Sequence, residues 1–246
     1  MKDSHIIVAL DFSSERQVLD FTAQLEPPMC KLKIGKELFT LAGPTLVRQL
    51  IDKGFDVFLD LKFHDIPSVI SSAVEVAVDE KVYMLTMHAL GGERMLASVA
   101  ETVEALRVQS GVRTPLLLGV TVLTSLGEDD LSQMGFSLPM KEEIVKLASI
   151  CKNSGLYGIV CSGEEISLIR EKFPARRDLA GGKEEFLIVT PGVRIEPVSS
   201  DDQRRTITVE DALKKGADYL VMGRTITQSE NPEKTVESIL EKLNKL

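Results

Sequence analysis

Tryptophan is absent from this chain, aromatic residues make up only 5% of it, and it has just three cysteines and three histidines. Cys30, Cys151 and Cys161 cannot all pair, and none stands in a CxxC or zinc-type spacing. The sequence therefore predicts free thiols in a reducing compartment, the cytoplasm. Positive charge is also scarce, with 29 Lys and Arg against 37 Asp and Glu and a net charge of -8. Such a chain has no general affinity for nucleic acid or an acidic membrane, so an anionic ligand needs a local basic pocket. Long apolar runs are lacking as well. None approaches the roughly 20 residues of a membrane helix, and the short run between Asp3 and Asp11 lacks the form of a signal peptide. The expectation is a soluble cytoplasmic protein with neither a membrane nor a nucleic-acid partner.

What the chain does have is a repeat. Eight short apolar runs recur: Ile6–Leu10, Leu32–Ile34, Val57–Leu61, Val82–Met87, Leu116–Val122, Gly158–Cys161, Phe186–Val189 and Tyr219–Met222. Amphipathic stretches separate them, at Ser14–Leu25, Pro44–Lys53, Ser68–Asp79, Glu93–Val108, Met140–Asn153, Glu164–Phe173, Thr208–Lys215 and Pro232–Leu243. Alternation of this kind predicts parallel strands with helical crossovers. Eight units in 246 residues favour an α/β fold of the closed (β/α)8 TIM-barrel type, a single domain over residues 1–246. Gly216-Ala217-Asp218 reads as a helix stop before the last strand. The glycine-bearing loops near Gly111 and Gly181-Gly182 read as surface insertions.

In a barrel the C-terminal strand ends converge on one rim, where active sites lie. The residues there include Asp11, Lys33, His88, Thr121 through Ser125, Ser162, Arg194 and Gly223-Arg224. The densest group is Leu59-Asp60-Leu61-Lys62-Phe63-His64-Asp65-Ile66-Pro67. Strand alternation puts Asp60 and Lys62 on one face, Asp65 follows in the turn, and Pro67 suits the first turn of a helix. An ammonium about 4 Å from a carboxylate gains about 4 kcal/mol at an effective dielectric near 20. Two acids are thus expected to hold Lys62 charged, as a proton donor. A structural ion-pair network fits these nine residues about equally well.

Thr190-Pro191-Gly192-Val193-Arg194 after the seventh run and Met222-Gly223-Arg224 after the eighth read as a phosphate grip. Loops at those positions offer backbone N–H groups, and arginine adds forked hydrogen bonds to phosphate oxygens. The polar stretch Ser199-Ser200-Asp201-Asp202-Gln203-Arg204-Arg205 reads either as a solvated loop or as a lid over that phosphate. His88 receives no role, and the cysteines read as core or near-core thiols.

Together with Ala9-Leu10-Asp11, Leu32-Lys33-Ile34-Gly35-Lys36 and Gly119-Val120-Thr121-Val122-Leu123-Thr124-Ser125, these motifs resemble the orotidine 5′-phosphate decarboxylase family in its compact bacterial branch. The resemblance runs from near residue 6 to about residue 240 and keeps the motif order. It implies a homodimeric barrel that converts orotidine monophosphate to uridine monophosphate and carbon dioxide without metal or organic cofactor. Carried over residue by residue, it makes Lys62 the proton donor to C6 and places Asp60 by the substrate carboxylate. Asp65 would complete the neighbouring subunit's site. Asp11 and Lys33 would hold the ribose, Thr124 and Ser125 would lie against the pyrimidine, and Ile66 would contact substrate. Gln203, Gly223 and Arg224 would take the phosphate, with Arg194 anchoring the lid.

The chain departs from the family's pattern at Val69 (commonly threonine), Ser68 (asparagine), Leu90 (serine) and Thr225 (proline). The hydroxyl missing at Val69 would have made one ribose contact from the dimer partner, so the expectation is either weaker substrate binding or compensation by Ser68. Three other readings compete. A magnesium-dependent sugar-phosphate decarboxylase or synthase shares the Asp-x-Lys-x-x-Asp pattern. A Schiff-base aldolase would use Lys62 uncharged. A catalytically inactive sugar-phosphate-binding protein would need neither Asp60 nor Lys62.

Overall fold

The computed structural model describes residues 4–174, 186–195 and 206–243. Eight parallel strands close into a barrel: β1 (Ile6–Ala9), β2 (Lys31–Gly35), β3 (Val57–Phe63), β4 (Met84–His88), β5 (Leu116–Val120), β6 (Gly158–Val160), β7 (Leu187–Thr190) and β10 (Tyr219–Met222). Each strand pairs with its neighbour in chain order, and β10 closes the ring onto β1 with Ile7 opposite Val221. Each of the eight apolar runs supplies one strand. The reason is compositional: the runs are rich in Val, Ile and Leu, and a strand covered on both faces needs apolar residues at nearly every position.

Around the barrel lie α1 (Glu15–Thr22), α2 (Lys36–Asp52), α3 (Pro67–Asp79), α4 (Gly92–Ser110), α6 (Met140–Asn153), α7 (Ile166–Lys172), α8 (Val209–Lys215) and α10 (Pro232–Leu243). Helix α2 begins before the expected Pro44. A segment from Lys36 precedes a sharp bend at Gly43, whose φ of 59° suits glycine, and Pro44 opens the second segment. Helix α8 stops at Gly216 in the left-handed conformation, as its glycine predicts. Among the described residues six short pieces fall outside the repeat pattern: two 3-10 turns (Pro27–Met29 and Ala89–Gly91), α5 (Glu128–Gln133), α9 (Arg224–Thr227) and the paired two-residue strands β8 (Val193–Arg194) and β9 (Ile207–Thr208).

Two apolar layers result. One lies between strands and helices; the other fills the barrel with Ile7, Phe58, Met84, Leu118, Val189 and Val221. Beneath the inner layer, Tyr83 and Tyr219 join hydroxyls at 3.0 Å, and the buried Lys31 ammonium stands 4.6 Å from the centre of the Tyr83 ring and 3.5 Å from Asp56. The lower end is filled, so the polar rim above is where a ligand finds room. The three cysteines are buried, as expected; burial pushes the Cys30 and Cys151 thiols up to about 12 and Cys161 well above its ordinary value. Around Gly111 the chain is an exposed helix end and loop; Gly181 and Gly182 lie outside the described residues.

Candidate active site

Above the inner layer a hollow of about 660 Å³ opens at the C-terminal ends of the strands. Its walls are apolar, with Phe58, Val120, Val160 and Val221 among them, and its charges lie on or just after five strands: Asp11 after β1, Lys33 on β2, Asp60 and Lys62 on β3, Arg194 on β8 and Arg224 after β10. Lys62 Nζ lies 2.8 Å from Asp60 Oδ2 and 2.9 Å from Asp60 Oδ1. Lys33 Nζ stands 3.6 Å from Asp60 Oδ2 and 3.8 Å from Asp11 Oδ1. The array therefore alternates in sign: Asp11, Lys33, Asp60, Lys62. Burial pushes the Asp60 carboxyl up, but the Lys33 and Lys62 charges and the hydrogen bonds from Lys62 and Thr86 outweigh it and hold the group below its ordinary value. An ionised Asp60 beside two ammonium groups is the stable state of this cluster.

The meeting of Asp60 and Lys62 does not come from regular pleating. Strand β3 changes register against β4 between Leu59 and Phe63, and Lys62 has φ 53°, in the left-handed region. For a lysine that conformation is strained. A local irregularity, which strand alternation does not foresee, thus aims the ammonium at its carboxylate.

The strand-and-turn reading puts Asp65 beside Lys62 within the chain, yet among the described residues no ion pair joins the two. Its carboxylate instead accepts the Ile66 backbone N–H at 2.7 Å, and it lines a separate shallow hollow with Ile66, Leu90 and Arg94. The cause is the turn: β3 ends at Phe63, and Ile66 is already the N-cap of α3, so both residues leave the barrel axis. Ile66 is 62% exposed and is absent from the wall of the central hollow. Within one chain, only Asp60 of the expected acid pair belongs to the Lys62 site.

The residues expected on the phosphate side do come together in one chain. Gly192, Arg194, Gly223 and Arg224 line the same hollow as Lys62. Arg194 is buried, which lowers its guanidinium from the ordinary value, although an arginine stays charged. Its strand pairs with β9, which fixes the chain on both sides of the segment expected to form a lid. Gln203, with Ser199, Ser200, Asp201, Asp202, Arg204 and Arg205, lies outside the described residues. Thr124 lines the hollow, whereas Ser125 is exposed at the next loop position and does not.

Several residues of the site gave no warning. Phe12, Thr227 and Gln228 line the hollow; the last two sit one turn along α9 from Gly223 and Arg224, a helix too short to detect from periodicity. Thr86 touches both Asp60 and Lys62. Its signal was an aliphatic hydroxyl inside the apolar run 82–87. His88 is half-buried, with Nδ1 lacking a hydrogen-bond partner among the described residues. Burial, then the nearby His64, Lys36 and Lys62, lower it from its ordinary value, which favours the neutral ring.

Comparison with known proteins agrees in extent and kind. The model of the family described as "Orotidine 5'-phosphate decarboxylase / HUMPS family" matches residues 4–239. A relative from Aliivibrio fischeri (strain MJ11), named orotidine 5'-phosphate decarboxylase, is 46% identical over 239 residues, 97% of each chain. One of the same name from Vibrio vulnificus (strain CMCP6) is 45% identical over the full length of both chains. Among solved structures, orotidine 5'-phosphate decarboxylase from Lactobacillus acidophilus superposes with a TM-score of 0.84 at 33% identity, covering 98% of this chain and 100% of that one.

Proposed function

The chain belongs to the orotidine 5′-phosphate decarboxylase / HUMPS family, and on that premise we propose that it converts orotidine monophosphate to uridine monophosphate and carbon dioxide in pyrimidine biosynthesis. The observation that carries this reading is the ammonium of Lys62, 2.8 Å from Asp60, in a hollow whose rim also bears Arg194 and Arg224.

The phosphate is held by backbone N–H groups at Gly192 and Gly223 and by Arg224, with Arg194 beside them. Lys33 and Asp11 take the ribose hydroxyls, and Thr124 lies along the pyrimidine. The bond from C6 to the carboxylate then breaks, carbon dioxide departs, and the electron pair stays on C6. That carbanion is poorly delocalised by the ring, so the fixed ammonium of Lys62 stabilises charge where it develops and delivers a proton to C6. Lys62 recovers its proton from solvent after product leaves. Asp60 keeps the ammonium in place and stands near the substrate carboxylate; the remote phosphate supplies binding energy that holds the reacting end there.

A homodimer is part of this reading. Asp65 lines a different hollow from its own Lys62, beside exposed Ile66 and Leu90, with Val69 exposed on the first turn of α3. An apolar patch around a carboxylate suits a surface that closes over a second copy. Asp65, and with it Ile66, would then complete the partner's array. At Val69 a methyl stands in place of a hydroxyl, leaving Ser68 as the nearby candidate for the ribose contact. Such an enzyme works in the cytoplasm.

The test is an ultraviolet assay of orotidine monophosphate consumption with and without chelator. Turnover that chelator leaves unchanged is the expected result. Loss of rate on chelation would favour the magnesium-dependent sugar-phosphate chemistry, and tight nucleotide binding without turnover would favour an inactive binding protein.

A further inference from the structure

A bulged strand leaves backbone amides without their usual ladder partners, and a buried amide left so is costly. The bulge in β3 falls inside the charged array. Leu59 is opposite Leu85 and Phe63 is opposite Met87, so four residues of β3 advance against two of β4. Lys62 lies in that excess, with its left-handed backbone. Thr86 is the β4 residue between the two register points, and it is fully buried.

The Thr86 hydroxyl serves both problems at once. Its oxygen accepts the Lys62 backbone N–H at 2.9 Å, and its proton goes to Asp60 Oδ1, also at 2.9 Å. A hydroxyl has one proton to give. Committing it to Asp60 turns the lone pairs toward the amide, so one side chain ties the backbone of the lysine to the carboxylate that grips its ammonium. Thr86 does not itself line the hollow.

We propose that Thr86 is a positioning residue for the decarboxylation: it holds Lys62 in its left-handed conformation and fixes the Asp60 carboxylate, so that Nζ is aimed at C6. This inference rests on the decarboxylase reading above. The groups that face Asp60 are Lys33 from β2, Lys62 on its own strand and Thr86 from β4; His88 and Lys36 stand farther off, and Asp11 shares Lys33. Of these, Thr86 is the uncharged donor, so its removal leaves the charges in place and lets the Asp60 titration rise.

Thr86→Val keeps the shape without the hydroxyl, and Thr86→Ser keeps the hydroxyl. The expected kcat for Thr86→Val is about tenfold to a hundredfold below wild type, with KM changed less than about threefold, since the groups that meet substrate directly remain. Thr86→Ser should restore kcat to within about threefold of wild type. The acid limb of the kcat–pH profile should move upward in Thr86→Val alone. A carbon NMR titration of the Asp60 carboxyl should show the same upward move, with or without turnover. Wild-type kcat and an unmoved Asp60 titration in a folded Thr86→Val would overturn the proposal, as would a serine variant as impaired as the valine. If Thr86→Val does not fold, Thr86→Ala makes the same comparison. Failure of the wild type to consume orotidine monophosphate would refute the decarboxylase reading, and the Asp60 titration would still decide the role of Thr86.

Discussion

Lys62 is bound on two sides, its ammonium by Asp60 and its backbone by Thr86. The residues proposed to grip the phosphate follow other strands, so the proposed reacting and gripping ends of the site are separable by mutation. Lys62→Ala is expected to lower kcat by about a thousandfold or more, while calorimetry finds uridine monophosphate binding within about tenfold of wild type. A folded Lys62→Ala variant with near-normal turnover would remove Lys62 as the proton donor. At this scale the sequence was informative about chemistry and poor about direction. Asp60, Lys62 and Asp65 stand within six positions, yet the turn into α3 sends Asp65 outward. Ser125 follows Thr124 directly and misses the hollow. Residue type survives into a linear reading; the path of the backbone around a turn does not.

Among the elements, the strands were the most legible, because a doubly covered parallel strand must be apolar throughout and such runs stand out. The bulge in β3 was not. Period-two reasoning assumes an even pleat, and the signal of the irregularity, Thr86, lies on a different strand about two dozen positions away. Strands β8 and β9 are two residues each, too short for any pattern. The lower end of the barrel offers a separate test. Lys31 is only 3% exposed and is met by the Tyr83 ring, the Tyr219 ring and Asp56, which also binds Arg113 at 2.8 Å. Deleting a carboxylate beside a buried ammonium leaves its desolvation uncompensated. Asp56→Ala is therefore expected to cost about 3 kcal/mol of unfolding free energy, and Lys31→Met, which removes the charge and keeps the bulk, much less. Urea denaturation of the two variants gives the comparison; equal losses would mean the pair is held by packing alone.

For the whole molecule, the proposed dimer makes the activity a property of two chains. If Asp65 serves the partner's site, Lys62→Ala and Asp65→Ala chains are each inactive alone, but a mixed dimer contains one site with both residues intact. After random exchange about a quarter of all sites should be whole, and activity should return to about that fraction of wild type. Mixtures no more active than the separate variants would argue that each chain works with its own residues. The barrel also carries a burden at its centre. A left-handed lysine costs about 1 kcal/mol or more, and glycine or asparagine would sit at that position more comfortably. With Lys62 as the proposed proton donor, heat resistance and turnover pull in opposite directions there: a library screened only for survival at high temperature would drift away from lysine, and improved variants would have to draw their gains from sites remote from residue 62.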